Sequence, residues 1–117
     1  LLSELLGART RPGRYGGPYE NRTRLAREII QAIQAGVPGL MVTTRLNVFD
    51  GVPFRKGPGD VGEPDPFPAP PENGWGLNPT DPLTPDLAEP LRWVADLRAL
   101  GVAAVNVTLG NPYAQPH

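Results

Sequence analysis

Two short apolar segments, residues 40–46 and 102–109, each follow a helical pattern with almost no linker between helix and strand. Their sequences, LMVTTRL and VAAVNVTL, are rich in β-branched residues and lack a strict alternation of apolar and polar positions. Continuous apolar runs of this length are typical of parallel strands that are covered on both faces. The order along the chain is helix, strand, long loop, helix, strand, which predicts βαβ units and an α/β fold.

The two helical patterns cover residues 21–35 and 86–100. In both, apolar side chains recur at intervals of three and four residues, which places them in one stripe along the helix. The stripes consist of Leu25, Ala26, Ile29, Ile30 and Ile33 in the first helix, and of Leu87, Leu91, Val94, Leu97 and Leu100 in the second. Such stripes predict that each helix packs one face against the sheet.

Capping residues mark the ends of both predicted helices. Asn21 is the predicted N-cap of the first helix, and Gly36 is its predicted stop. Asp86 and Glu89 have the spacing of a capping box at the start of the second helix, and Gly101 closes its end. The links from helix to strand are therefore only a few residues long.

The connection from the first strand to the second helix is long and rich in proline and glycine. It spans residues 47–85, and residues 50–85 hold ten of the 16 prolines and six of the 14 glycines in the 117-residue chain. Loops beyond about 15 residues are uncommon in compact domains unless they are functional or disordered. In parallel α/β folds the working face lies at the carboxyl ends of the strands, where this loop begins. We therefore interpret residues 47–85 as an active-site loop.

The composition excludes several classes of protein. A net charge of −1 with 39% hydrophobic residues excludes a highly charged disordered chain. No apolar run approaches the roughly 20 residues of a membrane span, so no membrane partner is expected. The absence of cysteine excludes disulfides and thiolate metal sites, and it fits a reducing compartment, so a cytoplasmic location is expected. His117 is the single histidine, and no metal site is predicted.

The N-terminal part of the chain is basic, with six arginines and two acidic residues in positions 1–27. A basic segment of this kind can bind phosphate or nucleic acid. However, Arg22, Arg24 and Arg27 lie within the first helical pattern, and no aromatic platform accompanies them. We expect these arginines to be solvated or ion-paired, and no nucleic-acid partner is predicted.

Four polar side chains in or near the strands are candidates for a site. Arg45 lies at the penultimate position of an apolar strand, where it either binds an anionic or carbonyl-rich ligand or forms a structural salt bridge with Asp50. Asn106 and Thr108 alternate on the second strand and share one face, for structural hydrogen bonding or for lining the interior. Tyr113 follows that strand and is a weak candidate for stacking on a substrate, with capping of the loop as the alternative.

Three segments carry a family resemblance. Residues 14–25, RYGGPYENRTRL, resemble the YGGSxENRxRF signature of the old yellow enzyme family of NADH:flavin oxidoreductases. The opening LLSELL looks like the family segment that follows its HGYLL-type strand end, and VTTRL at 42–46 is similar to the GVRLS strand. The order and spacing of the three segments along the chain agree with those of the family. Pro18 replaces the usual serine, and Thr43 and Thr44 replace the glycine and valine of the strand.

The resemblance implies an FMN-binding (β/α)8 TIM barrel, of which residues 1–117 form an internal fragment of a single domain, from about the fourth helix through the sixth strand. It implies that Arg45 contacts the pyrimidine edge of FMN near N1 and the C2 carbonyl, where reduced flavin gains negative charge. The family's substrate-binding histidine and proton-donating tyrosine are expected before Leu1, and its phosphate-binding loops after His117. No catalytic residue is therefore assigned within the chain.

The activity implied is hydride transfer from NADH or NADPH through FMN to a small-molecule substrate, an activated alkene or related acceptor. The fragment alone is expected to be inactive, and its oligomeric state is left open. An alternative of a different class is a non-catalytic module that presents its proline-rich loop to a protein partner. Residues 64–71 contain a PxxP run that could form polyproline II and bind an SH3-like groove.

Overall fold

The computed structural model of the protein describes residues 2–68 and 70–110. Among these residues, three α-helices precede the first strand, and one follows the long connection. The helices are α1 (Leu2–Leu6), α2 (Tyr19–Arg22), α3 (Arg24–Gly36) and α4 (Ala88–Ala99). The strands are β1 (Thr43–Asn47), β2 (Phe54–Lys56), β3 (Gly62–Pro64) and β4 (Ala104–Thr108).

The two apolar segments pair as parallel strands, as their sequence predicts. β1 and β4 run side by side from the pair Thr43 and Ala104 to the pair Asn47 and Thr108. Regular pairing begins three residues later than expected in the first segment, after a turn in which Leu40 N–H donates to the Val37 carbonyl. Among the described residues each of these strands has one neighbour, so each keeps one open edge.

The core lies between the parallel pair, the helices and one part of the long connection. Leu46 of β1 is 3% exposed and packs on the side where α3 and α4 lie. The stripe predicted for the first helix is only partly buried, since Ile29 and Ile33 remain 38% and 37% exposed. The buried residues of this cluster are Leu6, Tyr19, Ile30, Leu46, Trp75, Trp93 and Leu97.

The prediction that Asn21 is the N-cap of the first helix is wrong. The helical pattern is divided at Thr23, which lies between α2 and α3 with no exposed surface, and its hydroxyl donates to the Tyr19 carbonyl at 3.0 Å. Asn21 therefore lies inside α2, where its side-chain oxygen accepts a hydrogen bond from Arg24 at 2.8 Å. The helical turn begins two residues before Asn21, at Tyr19, which is buried at 5% exposure.

The start of α4 follows the prediction in part. The Asp86 carboxylate accepts the backbone N–H of Ala88 at 3.0 Å, which satisfies one free donor of the first turn. Pro90 lies within that turn, where its missing N–H costs nothing. Glu89 does not complete a capping box, since its carboxylate instead pairs with Arg22. Gly101, at φ +80°, ends the helix as predicted.

The long connection contains two different structures. Its first part forms an antiparallel hairpin of β2 and β3, which we call the arm (residues 54–64). Its second part, which we call the anchor segment (residues 73–85), places Trp75 in the core at 1% exposure. The sequence shows the 47–85 connection as irregular throughout, and the hairpin escaped prediction because each of its strands is only three residues long.

No helix within residues 2–68 and 70–110 has the length and apolar character needed to cross a membrane.

Candidate functional site

The parallel pair has one polar face. Leu46 marks the side that packs against the helices, so the residues before and after it point to the opposite side, since side chains alternate along a strand. Arg45 is exposed on that side, and its register partner on β4 is Asn106, which is also exposed. The face consists of Thr43, Arg45 and Asn47 from β1 with Ala104, Asn106 and Thr108 from β4.

No carboxylate among residues 2–68 and 70–110 neutralises the Arg45 guanidinium. Within the described ranges its side chain makes no hydrogen bond or ion pair, and the salt bridge to Asp50 considered from the sequence is absent. Asp50 instead accepts the backbone N–H of Trp75 at 2.7 Å and the side-chain N–H of Asn47 at 2.6 Å. A cation with neutral neighbours on its own face can donate to an anionic or carbonyl-rich ligand.

Asp50 is held in a partly buried position just beyond the end of β1. Burial raises the pKa of its carboxyl group, and the hydrogen bonds from Trp75 and Asn47 oppose that shift. The backbone N–H of Asp50 also donates to the Trp75 carbonyl at 3.0 Å, so the two residues are joined in both directions. Asp50 therefore fixes the anchor segment to the carboxyl end of β1.

The other predicted site residues have separate outcomes. Asn106 and Thr108 share the polar face, as predicted from their alternation. Thr108 makes a structural hydrogen bond, since its hydroxyl donates to the Leu46 carbonyl at 3.4 Å. No side-chain hydrogen bond of Asn106 occurs in the part of the chain that the structure describes. Tyr113 and His117 lie outside the described residues.

Residues of segment 14–25 contribute to the packing of the core. Arg22 is 4% exposed, and its guanidinium donates to the carbonyls of Leu6 and Gly17 and to the carboxylate of Glu89. It also lies 5.7 Å from the centre of the Trp75 ring system. All three guanidinium nitrogens thus have acceptors, as a buried arginine requires.

A second set of contacts joins the same segment to α4. The Tyr19 hydroxyl donates to Asp96 at 2.6 Å, and Arg27 pairs with the same carboxylate. Arg92 lies 3.9 Å from the centre of the Tyr19 ring, which stacks on Trp75 at 6.5 Å. Burial, with the hydrogen bond to Asp96, raises the pKa of Tyr19 far above its ordinary value.

These contacts confirm that Arg22 and Arg27 are ion-paired. Arg24 instead contacts the Asn21 side chain and the Arg14 carbonyl. The acceptors of Arg22 and Arg27 on α4 lie 67 and 69 residues away in sequence, so helical periodicity alone does not indicate them. Buried Trp75 is likewise missed by sequence reasoning, and its one signal is a lone tryptophan within a proline- and glycine-rich loop.

An apolar groove of about 210 Å³ runs beside β1. Side chains of α1 and α3 line it, among them Leu2, Leu6, Ile29 and Ile33, together with the residues of β1. An open strand edge next to apolar side chains exposes both unpaired backbone groups and hydrophobic surface. A further strand paired with β1 would cover both.

No group of histidine, cysteine, aspartate and glutamate side chains suited to a metal ion occurs in the described ranges. Comparisons of the chain with protein-family models, with curated proteins and with solved structures find no match.

Proposed function

We propose that the chain forms the section from the fourth helix to the sixth strand of an FMN-binding (β/α)8 barrel. The complete enzyme would be an oxidoreductase that takes hydride from NADH or NADPH and reduces an activated alkene or a related acceptor. FMN would supply the hydride chemistry when bound. The proposal originates in the resemblance of residues 1–6, 14–25 and 42–46 to the old yellow enzyme family.

The observation that carries the proposal is that the Arg45 charge has no carboxylate partner in the part of the chain that the structure describes. Its guanidinium is exposed on a polar strand face, and the nearest candidate carboxylate along the chain, Asp50, is occupied by Trp75 and Asn47. The pyrimidine edge of a flavin presents carbonyl oxygens and a ring nitrogen that can accept hydrogen bonds. A donor-only, permanently charged side chain fits such an edge. The residues present therefore fit the cofactor at this one contact.

The architecture supports the same proposal. β1 and β4 are parallel and are joined through α4, which is the repeating unit of a barrel. Both strands have an open edge among the described residues, and the groove beside β1 is apolar. Parallel sheets of two strands are rare because both faces and both edges need cover. Further strands on both sides would supply that cover.

In this proposal the chain's own residues have defined tasks. Arg45 would hold the pyrimidine edge and stabilise negative charge there. Asp50 and Trp75 would keep the 47–85 connection fixed at the carboxyl end of β1, from where the arm extends. The substrate-binding and proton-donating groups would come from other parts of the complete enzyme.

Flavin titration of the protein expressed from the complete reading frame tests the proposal. We expect Arg45→Ala to weaken FMN binding by about 10- to 100-fold, because a hydrogen bond to a charged group contributes about 1.5–3 kcal/mol. Arg45→Lys should recover part of this loss. Arg55→Ala, in the exposed arm, is the matched control and should bind FMN as the wild type does. Quenching of FMN fluorescence provides the affinities.

A complete protein that leaves FMN fluorescence unchanged would contradict the proposal. Equal affinities for wild type and Arg45→Ala would remove Arg45 from the site. The second candidate function is binding of a protein partner by the proline-rich connection, and it is favoured by the arm, where Phe54 and Val61 are 54% and 66% exposed. The same titration separates the two functions, because such a module needs no flavin.

A further inference from the structure

The anchor segment begins with the one Asn-Gly dipeptide in the chain, Asn73–Gly74. At such a dipeptide the glycine nitrogen can lose its proton to hydroxide and attack the side-chain amide carbon of the asparagine, because glycine has no Cβ to obstruct the approach. The new N–C bond closes a succinimide ring, and the side-chain nitrogen takes a proton from water and leaves as ammonia. A second water molecule opens the ring and gives aspartate or isoaspartate.

The packing of the anchor segment favours glycine at position 74. Gly74 has φ +127°, a backbone conformation that other residues rarely adopt. A Cβ at this position would also lie 2.3 Å from Leu77 Cδ1. The fold therefore favours the residue that makes Asn73 reactive.

The nucleophile of this reaction is held at the end of α1. Gly74 N–H donates to the Gly7 carbonyl at 2.9 Å, and Gly7 is buried. The proton that the reaction must remove is therefore engaged in a hydrogen bond, and amides engaged in this way are protected from exchange with solvent. The two backbones have to separate before this proton can be removed.

The asparagine side chain, in contrast, is exposed. Its Oδ1 accepts the Thr10 hydroxyl at 3.2 Å, a contact that polarises the amide carbon toward attack and does not cover it. Water can also reach this exposed position to open the ring. Control of the reaction therefore lies at the contact between Gly7 and Gly74.

We propose that Asn73–Gly74 is a deamidation site that is protected by the hydrogen bond from Gly74 to Gly7, and that its modification loosens the anchor segment. Isoaspartate adds one methylene group to the backbone immediately before the two N–H groups, of Gly74 and Trp75, that bind Gly7 and Asp50. Either product also introduces a carboxylate into a recess that Asp50 lines. Each change weakens the contact that slows the reaction, so an opening of the anchor segment becomes irreversible.

Incubation of the protein from the complete reading frame in mildly alkaline buffer tests the proposal. Mass analysis of the tryptic peptide that carries Asn73, with isoaspartyl methyltransferase labelling, measures the rate. The folded wild type should deamidate about 3- to 10-fold more slowly than the same protein in guanidinium chloride, which is the protection expected from one hydrogen bond. Asn78 lies on the same peptide and is the internal control, because the nitrogen of Pro79 has no proton to lose. Equal rates, or an unfolded chain that does not react at Asn73, would overturn the proposal.

Gly7→Ala tests the contact itself. A Cβ at position 7 would lie 3.1 Å from both the nitrogen and the Cα of Gly74, so the two backbones must move apart. The folded variant should deamidate about 3- to 10-fold faster than the wild type. Gly36→Ala is the matched control, since nothing lies within 4 Å of its Cβ, and it should react as the wild type does. Wild-type rates in Gly7→Ala would overturn the protective role of the contact, and if that variant does not fold, the comparison of folded and unfolded wild type decides.

The effect on the anchor segment is measured on the deamidated wild type, which its added negative charge separates from unmodified protein on an anion-exchange column. It should unfold at a lower urea concentration than the unmodified protein. Equal unfolding midpoints would overturn the loosening of the anchor segment. None of these measurements depends on flavin binding, so they test the inference separately from the proposed function.

Discussion

The arm and the anchor segment belong to one connection and are both rich in proline and glycine, yet one is exposed and the other packs on the core. In the arm, Phe54 is 54% exposed and Val61 is 66% exposed. In the anchor segment, Trp75 and Leu77 are 1% and 5% exposed. Proline and glycine content therefore does not decide whether such a segment is ordered against the core. What distinguishes the anchor segment is that Trp75 is buried and that its backbone bonds to Asp50.

The two parts also differ in what their polar groups contact. The arm closes on itself, through the pairing of β2 with β3 and an ion pair between Lys56 and Asp60. The anchor segment is bonded to other parts of the fold, since Trp75 pairs with Asp50, and Gly74 N–H donates to the Gly7 carbonyl at 2.9 Å. Substitutions in the anchor segment should therefore lower the stability of the whole domain, whereas substitutions in the arm should affect only the arm.

The largest expected effect of this difference is on Trp75. We expect Trp75→Ala to lower the free energy of unfolding by about 3–5 kcal/mol, because it leaves a cavity beside Tyr19 and Arg22. Phe54→Ala, the matched aromatic change in the arm, should alter it by no more than about 0.5 kcal/mol. Urea unfolding followed by circular dichroism measures both. Equal losses would show that the arm also packs on the core.

Trp75→Phe sharpens this comparison. The indole N–H of Trp75 is buried and has no hydrogen-bond partner in the described residues, so phenylalanine loses volume but no hydrogen bond. Its loss of stability should therefore be smaller than that of Trp75→Ala. A phenylalanine variant as unstable as the alanine variant would indicate that the indole N–H contributes after all.

A smaller effect is expected from two glycines that share a backbone conformation. Gly76 in the anchor segment has φ +68°, and Gly59 in the arm has φ +69°. At either position an alanine in this left-handed conformation raises the free energy of the folded state by roughly 1–2 kcal/mol. At Gly76 its Cβ would also lie 2.2 Å from the Val48 carbonyl oxygen, whereas nothing lies within 4 Å at Gly59.

We therefore expect Gly76→Ala to destabilise the protein by about 2–4 kcal/mol and Gly59→Ala by about 1 kcal/mol. The backbone at Gly76 cannot easily withdraw, because its carbonyl accepts the Asp86 N–H at 2.8 Å. Thermal and urea unfolding of the two variants provide the comparison. If both cost the same, the close approach of the anchor segment to Val48 does not exist in solution.

Helices and parallel strands were accessible to prediction because their signals are periodic and local. The stripes in residues 21–35 and 86–100 and the apolar runs at 40–46 and 102–109 depend on neighbours a few positions apart. Trp75 could not be placed in this way, since nothing within the loop distinguishes a tryptophan that packs on distant Tyr19 from one that is exposed.

The candidate site divides in the same manner. The shared face of Asn106 and Thr108 follows from strand alternation alone. Strand alternation does not show whether Arg45 pairs with Asp50. The two residues have opposite charges and are close in sequence, but Asp50 instead accepts a backbone N–H from Trp75, which is 25 residues away. Every residue except proline has a backbone N–H, so the amino-acid types in an irregular segment do not show which N–H donates to a carboxylate.

The smallest expected effect is a difference in the direction in which two carboxylates change the stability of the fold. Asp50 contacts the anchor segment, and Asp96 lies in α4. Burial raises the pKa of Asp50, so its charge destabilises the fold near neutral pH, and this penalty is relieved as pH falls through the raised pKa toward the unfolded value of about 4. Burial also acts to raise the pKa of Asp96, but hydrogen bonds from Tyr19 and Arg27 outweigh it and lower that pKa. Asp96 therefore stabilises the fold above about pH 4 and loses this contribution as pH falls further.

Asp50→Asn and Asp96→Asn should consequently shift stability in opposite directions at pH 7. Asp50→Asn keeps an oxygen for the Trp75 N–H, and Asn47 can turn its amide so that its own buried, unpartnered oxygen accepts from the new side chain. Its advantage over the wild type should shrink as pH falls through the raised pKa of Asp50 toward about 4, whereas the deficit of Asp96→Asn should persist to about pH 4 and shrink below it. Urea unfolding at a series of pH values gives both profiles. Parallel profiles would mean that the two carboxyl groups titrate alike, and that Asp50 is not held in a buried contact with the anchor segment.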